Sequence, residues 1–503
     1  VAPPPQAGER GLIPPTSPSM LRTGTRRLPG RCVRGGLAAA GALLLSSLHH
    51  CAARDLYSAG WKHHSFFDPL EPSLSPPPAL SRLNPAVLDP TKGFAKYTLT
   101  KRLPAVIERV IHEQAVSGEE EKAALRMLES EIPEAQLTRP TEVKAEDGQC
   151  HASDAACFNK EWARWTDARG GSWTGALPLI STEMYLYRRL LDCTGYFKAG
   201  STSLGDPYEG QKADSLKSAL SSKAFQEAVA EHIECLASPP VFNAMVGAKL
   251  HRFLLTDLWG NQGDLALSPM HVGNVEVAAS VSHTDKEEHL LQDESQGAID
   301  LIMAPGRGGP KRVDIILDNS GIELLCDLVL SDFLLSHKLV ASVHLHAKGE
   351  PLFISDAMPK DIAGHIAALE ASGDAAIKQL AANLQRHIEE GALVVESHMF
   401  WTAPRLFWEM PRSLASELGK ATLVIVKGDA NYRRLVGDRT WPVTTLLSDI
   451  VQPWFPAPLL ALRTLKAEIA LGLTVAKAAA AEKKDPEWMV NGQFAQIQFV
   501  PRR

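Results

Sequence analysis

Asp318 and Asn319 stand side by side at the end of the apolar run "RVDIIL" (312–317), and the helical pattern "SGIELLCDLVLSDFLLS" (320–336) starts immediately after them. Two more apolar runs have polar groups behind them. Asp356 follows "PLFIS" (351–355), and Lys427, Gly428 and Asp429 follow "TLVIV" (422–426). In an open parallel α/β sheet, ligands bind outside the carboxyl ends of the strands, where the strand order reverses. These positions would therefore share one edge. Asp318, Asn319 and Asp356 offer only oxygen donors, a set that suits a divalent cation such as Mg or Mn with water completing the shell.

Cations come from other segments. "KGDANYR" (427–433) supplies Lys427 and Arg433, and "RTLK" (463–466) supplies Arg463 and Lys466. Such groups pair with phosphate oxygens by charge-assisted hydrogen bonds. A helix starting near Ser320 would aim its free N–H groups at the same edge. Together these features describe a site for a phosphorylated ligand, where a metal could activate water or polarise the phosphoryl group. Each feature also has a plainer structural reading. "SGIE" (320–323) has the form of a capping box, a single Asp after a strand is commonly a turn residue, and "RTLKAEIALGL" (463–473) reads as an amphipathic helix with a solvated basic face. His344 and His346 fall on one face of a strand and read as packing or surface histidines rather than zinc ligands.

The elements that must hold these residues follow from periodicity. From about 95 to 257 the pattern is helical. "YTLTKRLPAVIERVIHEQ" (97–114) places Leu103, Val106, Ile107, Val110 and Ile111 at spacings of three and four, and "EMYLYRRLLDC" (183–193) and "SSKAFQEAVAEHIECLAS" (221–238) continue the habit. Beyond about 310, the short apolar runs "VDIIL", "SVHLHA" (342–347), "PLFIS", "ALVVES" (392–397) and "TLVIV" alternate with helical segments. That alternation argues for βαβ units and a mainly parallel sheet. The fold class expected is α/β: a mostly helical N-terminal domain packed on a Rossmann-like α/β/α domain. The expected divisions are a leader and Pro-rich disordered segment over 1–92, the helical domain over 93–267, a polar connector over 268–310, and the catalytic α/β domain over 311–503. "GRGG" (306–309) precedes a strand and opens no helix, so it is not read as a phosphate loop.

With 503 residues, 45% hydrophobic and 22% charged, the chain has the composition of a globular protein of several domains. A net charge of −6 and the absence of a long basic block in the body of the chain give no reason to expect a nucleic-acid partner, and none is expected. The seven cysteines are irregularly spaced without a CxxC pair, which suits a reduced compartment rather than a disulfide framework. No apolar run reaches the ~18–20 residues of a membrane span. Between Arg10 and Arg54 there is no acidic residue, and arginines lead into "LAAAGALLLSSL" (37–48). That is the pattern of a secretory or organellar leader. A spurious upstream reading frame ahead of Met20 is the other reading, and it would leave the protein cytoplasmic.

"LDNSGIELLCDLVLSDFLL" (317–335), "ISD" (354–356), "KGDANYRRLVGDR" (427–439) and "RTLKAEI" (463–469) resemble, in that order, the damage-control phosphatases of subfamily III, which are marked by an RTxK motif. "GFAKYTLTKRLP" (93–104), "TEMYLYRRL" (182–190) and "DLWGNQGDLALS" (257–268) are similar to further blocks of that family. The resemblance implies a phosphatase dependent on a divalent metal (Mn, Co or Ni, with Mg a further option). It would act on small sugar phosphates such as fructose 1-phosphate and fructose 6-phosphate, with a small phosphorylated metabolite as partner. It implies that Asp318, Asn319 and Asp356 hold the metal and do the catalysis, with Asp318 the carboxylate to act if there is a covalent step. Asp318, Asn319, Asp429, Ala430, Asn431, Tyr432 and Arg433 would line the substrate pocket, Lys466 would bind the phosphate, and Glu323 and Lys427 would join them. Ala430 departs from the larger apolar residue of the family and removes no ligand. The same subfamily is also linked to S-adenosylmethionine-dependent O-methylation of protein carboxyl (glutamate) groups. The turn "LDNSG" lacks the glycine-rich form expected after the first strand of a Rossmann methyltransferase, which counts against that alternative.

Overall fold

The computed structural model describes residues 62–64, 74–113, 116, 118–134, 139–144, 152–167, 178–198, 206–237, 243–261, 288–305 and 309–503. The basic and apolar leader, most of "GRGG" and residues 262–268 of the "DLWGN" block lie outside them.

Among the described residues one sheet has eight strands: β1 (Lys62–His64), β2 (Leu290–Asp293), β3 (Arg312–Ile316), β4 (Ser342–Ala347), β5 (Leu393–His398), β6 (Leu423–Lys427), β7 (Leu459–Thr464) and β8 (Ala495–Val500). Their spatial order is β1-β5-β4-β3-β6-β7-β8-β2. All neighbours pair in parallel except β7 and β8, which are antiparallel. The chain leaves β3 towards β4 and β5 on one side and returns to lay β6 and β7 on the other. The strand order therefore reverses between β3 and β6, where the carboxyl ends open a crevice. The central strands are buried on both faces, as a sheet covered on both sides requires, with Asp314, His344 and His346 the buried polar residues of β3 and β4.

The helices that frame the cores and the site, in chain order, are α1 (Leu103–His112), α2 (Glu119–Glu134), α3 (Ala152–Asp167), α4 (Leu179–Cys193), α5 (Glu209–Leu220), α6 (Lys223–Ala237), α7 (Asn243–Gly260), α8 (Ser295–Met303), α9 (Ile322–Ser336), α10 (Pro359–Glu370), α11 (Ala375–Glu389), α12 (Arg412–Leu418) and α13 (Asp429–Val436); shorter or peripheral helices span Pro78–Leu83, Gly93–Tyr97, Leu447–Val451 and Val475–Lys484. The stripe Leu103, Val106, Ile107, Val110 and Ile111 is buried, as its spacing predicts. One sheet face carries Val313, Ile315, Leu345, Ile425 and Leu462 and packs with side chains of α5 to α11. The other carries Ile316, Val424, Val426 and Ala461, beneath α12, α13 and the aromatic segment Phe400–Phe407. A third core joins α1 to α4 to Leu352, Phe353, Ile354, Met399 and Trp408.

The structure departs from the sequence expectations in several elements. The helices over 209–260 pack into the core that includes the sheet, and Tyr208 belongs to the core of α1 to α4. Amphipathic helices show which face is buried and not what buries it. The segment 268–310 is more than a connector, since it contains β2 and α8. Within the lead-in, Pro78–Leu83 is helical, Ala79 and Leu88 are buried, and Val87 bridges Arg439. "PLFIS" is not a strand: it forms a turn with Phe353 at φ 46° and Ile354 at φ 68°. "RTLKAEIALGL" is not a helix either. Arg463 and Thr464 end β7, and the residues beyond are irregular until Val475.

Candidate active site

Three turns meet at the reversal point. The first follows β3. The main chain of Asp318 and Ser320 pairs with the 355–357 segment: Ala357 N–H donates to Asp318 O (2.7 Å) and Ser320 N–H to Ser355 O (2.6 Å). This short antiparallel bridge brings Asn319 opposite Asp356. The turn preceding Asp356 places two consecutive non-glycine residues, one of them β-branched, in the left-handed region, a strained conformation of the kind that collects at functional sites.

The second turn joins β6 to α13 through Gly428, at φ 77°. A Cβ there would lie 1.9 Å from Asp318 Oδ2, so only glycine lets this backbone pass the carboxylate. The third turn follows β7. Lys466 N–H donates to Asp429 Oδ1 (3.3 Å), and Arg463 Nη2 pairs with the same oxygen at 3.0 Å. Asp318, Asn319, Asp356, Asp429 and Lys466 are all buried at this edge.

The side chains are held firmly. Asp318 Oδ2 accepts from the carboxamides of Asn319 (2.9 Å) and Asn261 (3.0 Å). Asn319 also donates to Glu323 Oε2 (2.9 Å), and its Oδ1 accepts from the Ser355 hydroxyl (2.6 Å). An amide oxygen has two lone pairs, so this bond uses one of them. Asp356 Oδ2 pairs with Lys348 at 3.1 Å. Carboxylate and carboxamide oxygens beside a turn stripped of side chain fit a hard divalent cation.

Residues 98–481 match the damage-control phosphatase ARMT1-like domain. The chain belongs to that family. Its similarity to proteins named damage-control phosphatase ARMT1 runs through most of the sequence: 30% identity over 432 residues with the Danio rerio protein, covering 81% of this chain and 94% of that one. The Xenopus tropicalis protein is 31% identical over 434 residues and the Homo sapiens protein 29% over 436, each covering 81% of this chain and 96% of theirs. A crystal structure of a DUF89 family protein from Pyrococcus horikoshii superposes with a TM-score of 0.35 and 15% identity, over 73% of this chain and 90% of that one, a likeness too slight to carry an argument.

In this ARMT1-like chain the remaining residues singled out by the motifs face elsewhere. Lys427 is fully buried behind the site, with Nζ held by Asp257 (2.7 Å), Glu323 (3.1 Å) and Asp327 (3.1 Å). Burial disfavours its charge, but the surrounding carboxylates outweigh this and hold the ammonium well above its usual range. Asn431 donates to Leu317 O (3.0 Å) and Lys427 O (2.9 Å), pinning α13 to β3. Tyr432 is buried, with Arg463 stacked 4.1 Å over its ring. Arg433 turns to the helical region, pairing with Asp438 (2.7 Å) and Glu183 (2.6 Å). Ala430 is half-buried. The capping box does not form. Gly321 precedes α9 with no side-chain cap, and Glu323 spends its carboxylate on Asn261, Asn319 and Lys427.

Three positions escaped the motif reading. Asp257, in the last turn of α7, and Asn261, directly after the helix, are both buried four residues apart, and that polar pair within "DLWGN" was the available signal. Lys348, buried beside Asp356, gave none. His344 and His346 point inward and bond Glu396 (2.6 Å) and Asp314 (2.9 Å). Asp206, Glu209 and Asp361 bring carboxylate oxygens within 4.8 Å of one another. The ammonium groups of Lys212 and Lys360 already lie among them, so the cluster is an ion-pair clamp between α5 and α10.

Proposed function

We propose that this chain is a divalent-metal-dependent phosphatase of small sugar phosphates, acting at the crevice between β3 and β6. The observation that carries the reading is the convergence of Asp318, Asn319 and Asp356 with Lys466, linked through Asn261, where the order of the described strands reverses. Asp318, Asn319 and Asp356 would hold the metal, with Asn261, Ser355 and Lys348 fixing their orientation. When bound, the metal supplies Lewis-acid polarisation of the phosphoryl group and an activated water. Lys466 offsets phosphate charge. Asp429 orients the loop that carries Lys466 by accepting from its backbone N–H. Glu323, Lys427, Asn431, Tyr432 and Arg433 act as scaffold to this arrangement. The buried, prearranged donors need no reorganisation when charge develops, which is the condition for electrostatic catalysis.

The test is phosphate release from a panel including fructose 1-phosphate and fructose 6-phosphate. It uses the full chain, because residues 74–92 are built into the fold. Release should vanish with EDTA and return with Mn, Co, Ni or Mg. Asp318→Ala and Asp356→Ala should each lose about 100-fold or more, the scale of losing a charge-stabilising group in catalysis. Folded protein that releases no phosphate with any of these metals would defeat the reading.

A further inference from the structure

Asn261 is fully buried where α7 ends, and its carboxamide bonds on both sides. Nδ2 donates to Asp318 Oδ2 (3.0 Å) and Glu323 Oε2 (2.8 Å). Oδ1 accepts from Thr464 Oγ1 (2.8 Å) and Lys466 Nζ (3.2 Å). The main-chain oxygen of the same residue accepts from Lys466 Nζ at 2.6 Å. The partners fix the orientation of the amide, because carboxylates only accept and an ammonium only donates. A carbonyl at a helix carboxyl end has no partner within the helix and favours a cation, so α7 offers Lys466 a second point of attachment.

We propose that Asn261 is a positioning residue, a neutral spacer that keeps the Lys466 ammonium from pairing with the Asp318 and Glu323 carboxylates. The inference deepens the proposed function and rests on that reading of Asp318 and Lys466. Opposite charges in a water-poor site attract strongly. A direct Lys466–Asp318 pair would occupy the metal's carboxylate and the phosphate's cation at once. Asn261 satisfies each side with its opposite pole and adds no charge. Asp at this position would face two carboxylates with a third, and Ala would leave the gap open.

Two measurements on the full chain test it. The first is a metal-free crystal structure of Asn261→Ala. Lys466 Nζ is expected to move onto Asp318 or Glu323, and an Nζ that stays on the main-chain oxygen of residue 261 overturns the inference. Asn261→Ser, which keeps one polar atom, replaces the alanine form should that fail to fold. The second is calorimetric titration with Mn alone. Asn261→Ala should bind on the order of tenfold more weakly than the wild type, the lower end for loss of a group that supports a ligand. Lys466→Met should bind at least as tightly as the wild type, and the double variant should recover wild-type affinity because no ammonium remains to occupy Asp318. A double variant as weak as Asn261→Ala overturns the spacer role and leaves a residue that merely frames Asp318. A wild type that binds no Mn, Co, Ni or Mg refutes the proposed function instead, and the crystal structure still decides the inference.

Discussion

Single atoms govern the turn at Gly428. Its positive φ and the 1.9 Å that would separate a Cβ from Asp318 Oδ2 leave no room for a side chain. Gly428→Ala should lower stability by about 1–3 kcal/mol and weaken metal binding together, because Asp318 must shift to admit the methyl group. Chemical denaturation and Mn titration read the two effects. Lys427 poses the reverse problem. Burial and the nearby Asp257 carboxylate push Asp327 well above the usual carboxylate range, even with Lys427 adjacent. Lys427→Met would leave three buried carboxyl groups without their counter-charge, and a loss of about 3–5 kcal/mol in unfolding free energy is expected.

Helix α10 supports the start of α9 through His365. Gly321 N–H donates to His365 Nε2 (2.8 Å), and His365 Nδ1 faces Asp361 O (2.7 Å), an arrangement that requires the neutral imidazole. Burial pushes His365 down to about 4. Between the ordinary histidine value of about 6.5 and this folded value, the unfolded chain binds the proton and the folded chain does not. Stability therefore falls as pH drops through that window, by roughly 3 kcal/mol in all, and His365→Gln should flatten this part of the profile of unfolding free energy against pH. Asp332 joins α9 to α6 and α11 in the same manner. Burial alone would raise its pKa, but bonds from His232 (2.8 Å), His387 (3.0 Å) and Ser336 (2.6 Å) hold its carboxyl well below the usual range. Its contribution is present above about pH 4 and fades in stronger acid.

Across the whole molecule, the helical region and the sheet are joined by charge as well as by core. Glu183 of α4 takes both Arg102 (2.8 Å) and Arg433 (2.6 Å), Glu161 of α3 is held bidentately by Arg405 (2.6 and 2.5 Å), and Ile180 N–H donates to Asp438 Oδ2 (2.6 Å). The core of α1 to α4 includes Phe353 and Ile354, the turn that aims Asp356. Unfolding of residues 74–503 should therefore be a single cooperative step. Trp fluorescence, from Trp162 and Trp165 in α3 and Trp401 and Trp408 near the sheet, should trace the same thermal transition as far-ultraviolet circular dichroism. Two separated transitions would refute the coupling.

The residue types needed for the candidate site, and the strands that carry most of them, were legible in the sequence. Asp318–Asn319 and Lys427–Gly428–Asp429 follow uninterrupted apolar runs, and a strand covered on both faces has few other ways to be written. Order along the chain also made α/β alternation readable. Three features were decided only by the tertiary structure. Strand β7 and the "PLFIS" turn were misread because a short apolar run carries no period that separates strand, turn and helix. Lys427 and Arg433 look like phosphate ligands in "KGDANYR", yet three-dimensional packing surrounds them with carboxylates from α4, α7, α9 and the α13 turn. Asn261 shows in sequence only as the second member of the polar pair in "DLWGN", and a carboxamide at a helix end is by itself an ordinary residue. It acquires a role only when the sheet brings Asp318, Glu323, Thr464 and Lys466 within hydrogen-bond reach of its two poles. Periodicity records which face of an element is buried, and the partner that buries it is chosen by contacts distant in the chain.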